Sequence, residues 1–434
     1  MPMYERELET MPLGKLEEFR FGRLKKMVRY AYDNVPLYKR RLTEAGITPD
    51  DIKTQDDIGK IPFTYKDDLR DHYPYGILAV PIQKTVRLHA SSGTTGKPTV
   101  VTYTERDMDT WGRLMARAYA TAGVTSDDIV QNAYGYGLFT GGLGFHEGAQ
   151  KLGCTVIPIA TGNTRKQLMM LKDMQSTVLC CTPSYAMYIA EVAEQDGYVT
   201  GKDFALKVGM FGAEPWSEEA RKRIQDSLDI LAIDNYGMSE LYGPGVAVEC
   251  PEQNGLHIQS DEFYPEVIDT KTGERLGYGE KGELVFTMLT REAMPLLRYR
   301  TRDVAVLVEE ECACGRTHPR IMRIKGRSDD MLIIGGVNVF PSQVEHVLMN
   351  FPQSSDQYQI IIDRDILDKL HLKVEVTQET WDDKAKMDAF APKLAEELQA
   401  VLTVKARLEL VEPNSIPRSM GKAKRVLDLR KRED

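Results

Sequence analysis

Between Ser91 and Thr99 the chain reads Ser-Ser-Gly-Thr-Thr-Gly-Lys-Pro-Thr, a run of hydroxyls with two glycines and one lysine. Glycines let backbone N–H groups turn toward an anion, and hydroxyls and an ammonium add donors around it. The chemistry this suits is the grip of a polyphosphate by Ser91, Ser92, Thr94, Thr95, Gly96 and Lys97. It is not the common nucleotide-hydrolase loop, which needs a glycine five residues before its Gly-Lys pair and a Ser or Thr after it. Ser91 and Pro98 stand at those positions. Such a composition more commonly makes a linker, but a strand pattern on each side, at 86–90 and 99–103, argues against that.

Four further segments carry candidate chemistry. Residues 234–240 end a strand pattern with Asn235, Tyr236, Gly237, Met238, Ser239 and the carboxylate of Glu240. Residues 299–303 set Asp303 beside Arg298, Arg300 and Arg302. Residues 326–330, Gly-Arg-Ser-Asp-Asp, coincide with a change in composition. Residues 417–425 bring a second Gly-Lys pair, Gly421-Lys422, near the C-terminus. Taken singly, each also reads as a solvated turn, a surface ion pair or a charged tail. Their joint presence favours a catalytic reading.

The elements that must position these groups follow from periodicity. Residues 5–71 are helical and charged, with turn signals at 34–36 and 46–49, and Tyr30, Tyr32, Tyr38 and Phe63 predict that these helices pack on something. From 86 to 233, apolar runs at 155–159, 177–181, 206–211 and 231–235 alternate with helical stretches at 104–121, 165–175, 184–195 and 217–228. That alternation predicts α/β architecture with a largely parallel sheet. After Asn235, short strands among Gly and Pro predict a distorted barrel or antiparallel sheet. Beyond 328 lies an α+β pattern with a helix opening at Pro341, a strand pair near 357–363 and 371–376, and a long helix over 382–402. The expected division is a domain over 1–328, with a helical segment over 1–75, and a second over 329–434.

With 434 residues, the chain exceeds what one core usually serves. A net charge of −9 argues against a nucleic-acid groove. No run of 18 uncharged apolar residues is present, so no membrane span is expected, and an N-terminus without the order of a signal peptide predicts a cytoplasmic protein. Six cysteines in such a chain are not a disulfide framework. Cys154, Cys180 and Cys181 sit in apolar runs and read as core.

The order and wording of these segments resemble the adenylate-forming superfamily of acyl-CoA synthetases, luciferases and adenylation domains. Within it, residues 133–142, 212–217, 299–303 and 326–341 resemble the phenylacetate–CoA ligase family. The resemblance covers essentially the whole chain. It implies a large N-terminal adenylating domain with parallel α/β sheets and a distorted β-barrel, and a small mobile α+β C-terminal domain. It implies two steps: a carboxylate attacks the α-phosphate of ATP, then the thiol of coenzyme A attacks the acyl-adenylate and AMP leaves. By the same resemblance, Ser91 to Lys97 hold the departing phosphates and Glu240 holds Mg²⁺. Asp303 takes the ribose hydroxyls, and Gly212, Ala213, Glu214 and Pro215 line the adenine with residues 235–239. Arg327 reaches the ribose or phosphate side. Lys422 bridges phosphate and carboxylate as the catalytic lysine, and Asp329 is the hinge. Gly335-Gly336 stands where close relatives carry Arg-Gly, which puts the coenzyme A phosphate contacts in doubt. The N-terminal helical segment implies a homodimer.

For the acyl group, Tyr134, Tyr136, Phe139, Gly141 and Gly142 form an aromatic and glycine segment. Core packing is the plain reading, but glycines beside aromatics also leave a flat slot for a ring. An aryl or arylacetic acid, phenylacetate first, is expected over a fatty acid; His146 reads either as an edge of this pocket or, as a lone histidine more often is, as a structural residue. Separately, Cys250, His257, Cys312 and Cys314 offer three thiols and one imidazole, a set suited to structural Zn²⁺. Their spacing departs from the usual short pairs, and His318 is a rival fourth ligand. Free cysteines are the alternative. Two other functional readings stand: an adenylating enzyme for another acid or a carrier-protein thiol, and a nucleotide-binding module without catalysis.

Overall fold

In the computed structural model the described residues are 2–91, 98–322, 324, 326–327, 332–334, 337–364, 368–418 and 425–429. Five parallel strands form the heart of the large domain. In spatial order they are Thr155–Ile157, Ile129–Asn132, Val178–Cys181, Val208–Gly212 and Leu231–Met238. Helices Thr140–Leu152, Thr164–Asp173, Pro183–Gln195 and Glu218–Leu228 connect them. The central strands are near-continuous apolar runs, as strands covered on both faces must be. Cys180 and Cys181 are wholly buried there, and Cys154 nearly so. Helix Glu105–Thr121 starts at Thr104, whose hydroxyl accepts from Asp107 N while Asp107 accepts from Thr104 N. That reciprocal cap fixes where the helix begins.

Of the two expectations for the region after Asn235, the antiparallel sheet is the one found. Gly243–Glu249, Leu256–Ile258, Arg320–Ile321, Tyr299–Val308, Lys281–Met288 and Phe263–Ile268 continue from Leu231–Met238 within one 12-stranded sheet. Among the described residues the path does not close into a barrel. The cause is local. Leu231–Met238 pairs in parallel with Val208–Gly212 on one side and antiparallel with Gly243–Glu249 on the other. The tight turn Ser239–Leu241 reverses the chain inside the sheet.

The N-terminal helix Leu13–Asn34 turns Leu24, Met27, Val28 and Ala31 into the large domain's core. Tyr30 donates to Glu292 O at 2.9 Å, so this segment packs on its own sheet. The small domain has a separate core built from strands Ala406–Val411, Asp368–Val376, Ser354–Arg364 and Val426–Asp428 and helices Pro341–Met349 and Lys384–Leu402. The expected boundary at 328–329 falls outside the described residues. Among those described, no helix is long and apolar enough to cross a membrane.

Candidate active site and metal centre

Two neighbouring parallel strands, Val208–Gly212 and Leu231–Met238, carry most of the adenine-side candidates. Val208–Gly212 delivers Gly212, then Ala213 with φ +73°, a left-handed conformation that is costly for a residue with a Cβ. Glu214 holds that strained turn in place: its carboxylate accepts from Ser184 N at 2.8 Å and from the Ser184 hydroxyl, at the start of helix Pro183–Gln195. A carboxylate there is favoured by unpaired N–H groups and the helix dipole. Pro215 follows, exposed.

Strand Leu231–Met238 carries Asn235, Tyr236, Gly237 and Met238. Asn235 Oδ1 accepts from Gly245 N at 2.9 Å. Gly237 has to be glycine, because a Cβ would fall on the Gly243 carbonyl oxygen of the returning strand. Tyr236 donates to Asp303 Oδ2 at 2.6 Å, joining two candidates that the sequence separates widely. Arg327 lies opposite Asp303 in the backbone register of strand Gly326–Arg327.

Ser239 and Glu240 occupy the turn after that strand. Ser239 Oγ lies 3.2 Å from Thr140 Oγ1, at the start of the helix that follows the aromatic segment. Glu240 is buried. Its Oε1 has no hydrogen-bond partner, and Lys66 Nζ faces it at 3.5 Å. Ser91 closes the base of the hydroxyl-rich loop: its N donates to Thr99 O at 2.9 Å and its Oγ accepts from Thr99 N at 3.1 Å. Ser92, Thr94, Thr95, Gly96, Lys97, Asp329, Gly335, Gly336 and Lys422 lie outside the described residues.

The arginines that neighbour Asp303 in the sequence face elsewhere. Arg298 pairs with Glu266 at 3.0 Å and donates to the Gly59 and Ile61 carbonyls. Arg300 pairs with Glu283 at 2.6 Å, and Arg302 lies 3.7 Å from the same carboxylate. Buried Glu266 and Glu283 sit on facing strands and neutralise these cations within the sheet. Alternating strand residues point to opposite faces, which the bare sequence did not assign.

In the aromatic segment, Tyr134 is buried and stacked on Phe145, with ring centroids 4.7 Å apart. Burial pushes its phenol well above the usual range, so it stays a neutral hydroxyl. Tyr136 accepts from Asn132 at 2.8 Å, and its hydroxyl lies 3.1 Å from His146 Nδ1. Phe139 is 44% exposed. A Cβ on Gly141 would meet the Phe139 ring, and one on Gly142 would fall on the Gly135 carbonyl oxygen. Gly142 therefore serves close backbone packing, and the ring-bearing positions are left as the candidates for acyl contact.

The four metal-ligand candidates converge. Their ligand atoms all lie within 4.8 Å of one another, and all four residues are buried. Cys250 Sγ lies 3.8 Å from Cys312 Sγ, and Cys314 Sγ lies 3.4 Å from His257 Nε2. Tetrahedral zinc with Zn–S of about 2.3 Å and Zn–N of about 2.0–2.1 Å requires S···S and S···N separations of about 3.8 and 3.5 Å. A hydrogen bond with His257 lowers the Cys312 thiol, and one with Cys250 lowers Cys314. His318 is not part of this cluster. Its ring nitrogens lie 3.0 Å from Ile258 O and 2.9 Å from Leu8 O.

The domains meet beside the adenine-side loop. Ser217, which caps helix Glu218–Leu228, donates its N–H to Glu345 Oε1 of the small domain at 3.1 Å. Arg223 donates to the Met349 and Phe351 carbonyls at 3.3 Å each, and His346 faces Glu219 at 3.1 Å. Sequence reasoning passed over Arg223, Glu345 and His346, as it did Lys66, because each is an ordinary charged or ionisable side chain until the fold supplies its partner.

The parallel sheet joined to a small α+β domain is the architecture of the AMP-binding enzymes, and the comparisons place the chain among them. The model of the AMP-binding enzyme family matches residues 81–288, and that of the AMP-binding enzyme C-terminal domain matches residues 336–430. The chain is 48% identical to a phenylacetate-coenzyme A ligase of Thermus thermophilus, over 99% of this chain and 100% of that one. It is 46% identical to the phenylacetate-coenzyme A ligase of Escherichia coli, over 98% and 97%. The chain belongs to the phenylacetate–coenzyme A ligase family. A crystal structure of 2-hydroxyisobutyryl-CoA ligase in the postadenylation state superposes with a TM-score of 0.92 at 30% identity, covering 98% of this chain and 91% of that one. The same ligase in the thioesterification state gives 0.73.

Proposed function

We propose that this enzyme joins phenylacetate to coenzyme A at the expense of ATP, releasing AMP and pyrophosphate. The observation that carries the reading is near-full-length identity of 46–48% to four phenylacetate-coenzyme A ligases. The site chemistry agrees with it. Bringing a carboxylate onto a triphosphate opposes like charges, so the protein has to aim cations and donors at the phosphoryl oxygens. Ser91 to Lys97 hold the departing phosphates in this reading, and Lys422 bridges the α-phosphate and the attacking carboxylate. Asp303, oriented by Tyr236, receives the ribose, and the Gly212–Pro215 turn with residues 235–239 frames the adenine. Tyr134, Tyr136 and Phe139 border the aryl ring.

Mg²⁺ would be held by Glu240, whose buried Oε1 without a hydrogen bond fits a hard cation; when bound it neutralises phosphate charge. Zinc at Cys250, His257, Cys312 and Cys314 would be structural, since four protein ligands leave no open position. Rotation about Asp329 would withdraw Lys422 and admit coenzyme A. The domain boundary at 328–329, the homodimer and a cytoplasmic location belong to the same reading. The test is a panel of acids supplied with ATP and coenzyme A, followed by AMP release. Phenylacetate should give AMP and acyl-CoA in equal amounts, and AMP without coenzyme A consumption would point to another acceptor.

A further inference from the structure

Arg291 is a wholly buried cation outside the candidate ligand segments. Its guanidinium carbon lies 4.0 Å from the ring centroid of Tyr103 and 4.3 Å from that of Tyr242, so one charge rests against two aromatic faces. Its Nη2 donates to Thr102 O at 2.5 Å, and its Nε lies 3.7 Å from Asp107 Oδ2. Asp107 is itself fixed, because it belongs to the cap of helix Glu105–Thr121 and accepts from Glu292 N at 2.7 Å and Ala293 N at 2.9 Å. Thr102 and Tyr103 end strand Val100–Tyr103, which directly follows the hydroxyl-rich run. Tyr242 stands two residues after Glu240 and holds a left-handed φ of +76°. Its carbonyl oxygen accepts from the Tyr103 hydroxyl at 2.7 Å. Loss of solvent pushes the Tyr103 phenol up to about 12, so it remains a donor at neutral pH.

A buried ion pair adds little net stability, because desolvation offsets the attraction. Its effect here is on relative position. A left-handed φ is strained for a residue with a Cβ and persists only where the surroundings impose it. Tyr242 is held by the Arg291 cation, by the Tyr103 hydroxyl, and through its own hydroxyl, which donates to Asp107 Oδ1 at 3.4 Å. These contacts tie the strand behind the hydroxyl-rich run to the turn that carries Glu240. We propose that Arg291 is a positioning residue for the phosphate end of the nucleotide: it sets the Glu240 turn against strand Val100–Tyr103, so that the carboxylate and the phosphate donors stand at the separation a cation-bound triphosphate requires. It acts through Thr102, Tyr103 and Tyr242 rather than on the nucleotide. The inference rests on the reading of Glu240 as the Mg²⁺ ligand.

The test is equilibrium titration of the full chain with ATP at a series of Mg²⁺ concentrations, and separately with AMP. Wild type, Arg291→Lys, Tyr103→Phe and Glu240→Gln are compared, each with a melting curve. Lysine keeps the charge but loses the planar fork that meets two rings and Thr102. Arg291→Lys should therefore weaken Mg²⁺-dependent ATP binding about ten-fold, the effect of one weakened charged contact. Tyr103→Phe removes only the hydroxyl and should weaken it by about three-fold or more. AMP binding should stay within about two-fold of wild type in both. A lowered melting temperature with unchanged ATP affinity returns Arg291 to packing alone and overturns the proposal, as does equal weakening for ATP and AMP. Should Arg291→Lys not fold, Tyr103→Phe decides by the same criteria. If the Mg²⁺ dependence of Glu240→Gln matches wild type, Glu240 does not hold the cation and the inference falls with that reading. A loss in Glu240→Gln with none in Arg291→Lys removes only the role of Arg291.

Discussion

Tyr236 donates to Asp303 Oδ2 across 2.6 Å, tying the strand that carries Glu240's turn to the strand that carries the ribose candidate. A charge-assisted bond of this kind is worth roughly 1.5–3 kcal/mol. It fixes one oxygen of the Asp303 carboxylate and so orients the group. Tyr236→Phe should raise the KM for ATP about ten-fold and leave the KM for phenylacetate nearly unchanged. Steady-state kinetics with each substrate varied will show whether the loss is confined to the nucleotide.

Lys422→Ala should separate the half-reactions. Acid-dependent pyrophosphate release should fall by about a hundred-fold or more, the scale for loss of one donor aimed at developing charge. Thioester formation from supplied phenylacetyl-adenylate and coenzyme A should remain within a few-fold of wild type. Equal loss of both would remove the residue from adenylation.

Purified protein should carry one zinc per chain, released as pH falls because thiolate and imidazole ligands must lose their protons to bind. Cys312→Ser should lower zinc content and thermal stability together. Full activity and an unchanged melting temperature in protein shown by elemental analysis to be zinc-free would refute a structural metal.

Glu345 gives the contact between the domains a pH dependence. Loss of solvent pushes its carboxyl up from 4.5 to about 7. A carboxyl with a raised native pKa holds its proton in the folded state over that window, so its contribution to stability falls as pH rises from about 4.5 to 7. Glu345→Gln keeps the shape and cannot ionise. The melting temperature of the variant relative to wild type should therefore rise between pH 5 and pH 8, and a constant difference would exclude this group as the source.

Gly142 and Phe139 should part company. Gly142→Ala places a methyl group on the Gly135 carbonyl oxygen and should lower the melting temperature by several degrees, a cost of about 1–3 kcal/mol. Phe139→Ala trims a partly exposed ring. It should raise the KM for the aryl acid while leaving stability within about 0.5 kcal/mol of wild type. Loss of stability in both would return the whole segment to packing.

Residue types and local spacing were enough to fix much of this protein. The donor-rich run behind a strand, the alternation of apolar and amphipathic stretches from 86 to 233, and the three thiols with one imidazole are all local or compositional signals. The wording of the motifs carried the family. Tertiary structure alone decided which groups face one another. Arg298, Arg300 and Asp303 are neighbours in the chain, yet the arginines turn to Glu266 and Glu283 while Asp303 meets Tyr236. Strand pleating sends adjacent residues to opposite faces, so proximity in sequence is a poor guide to shared chemistry. The same holds for the union of the parallel and antiparallel strands in one sheet, which depends on Leu231–Met238 finding partners on both sides. It holds again for Lys66, whose ammonium meets Glu240 because the N-terminal segment is pinned against the strand at Tyr299.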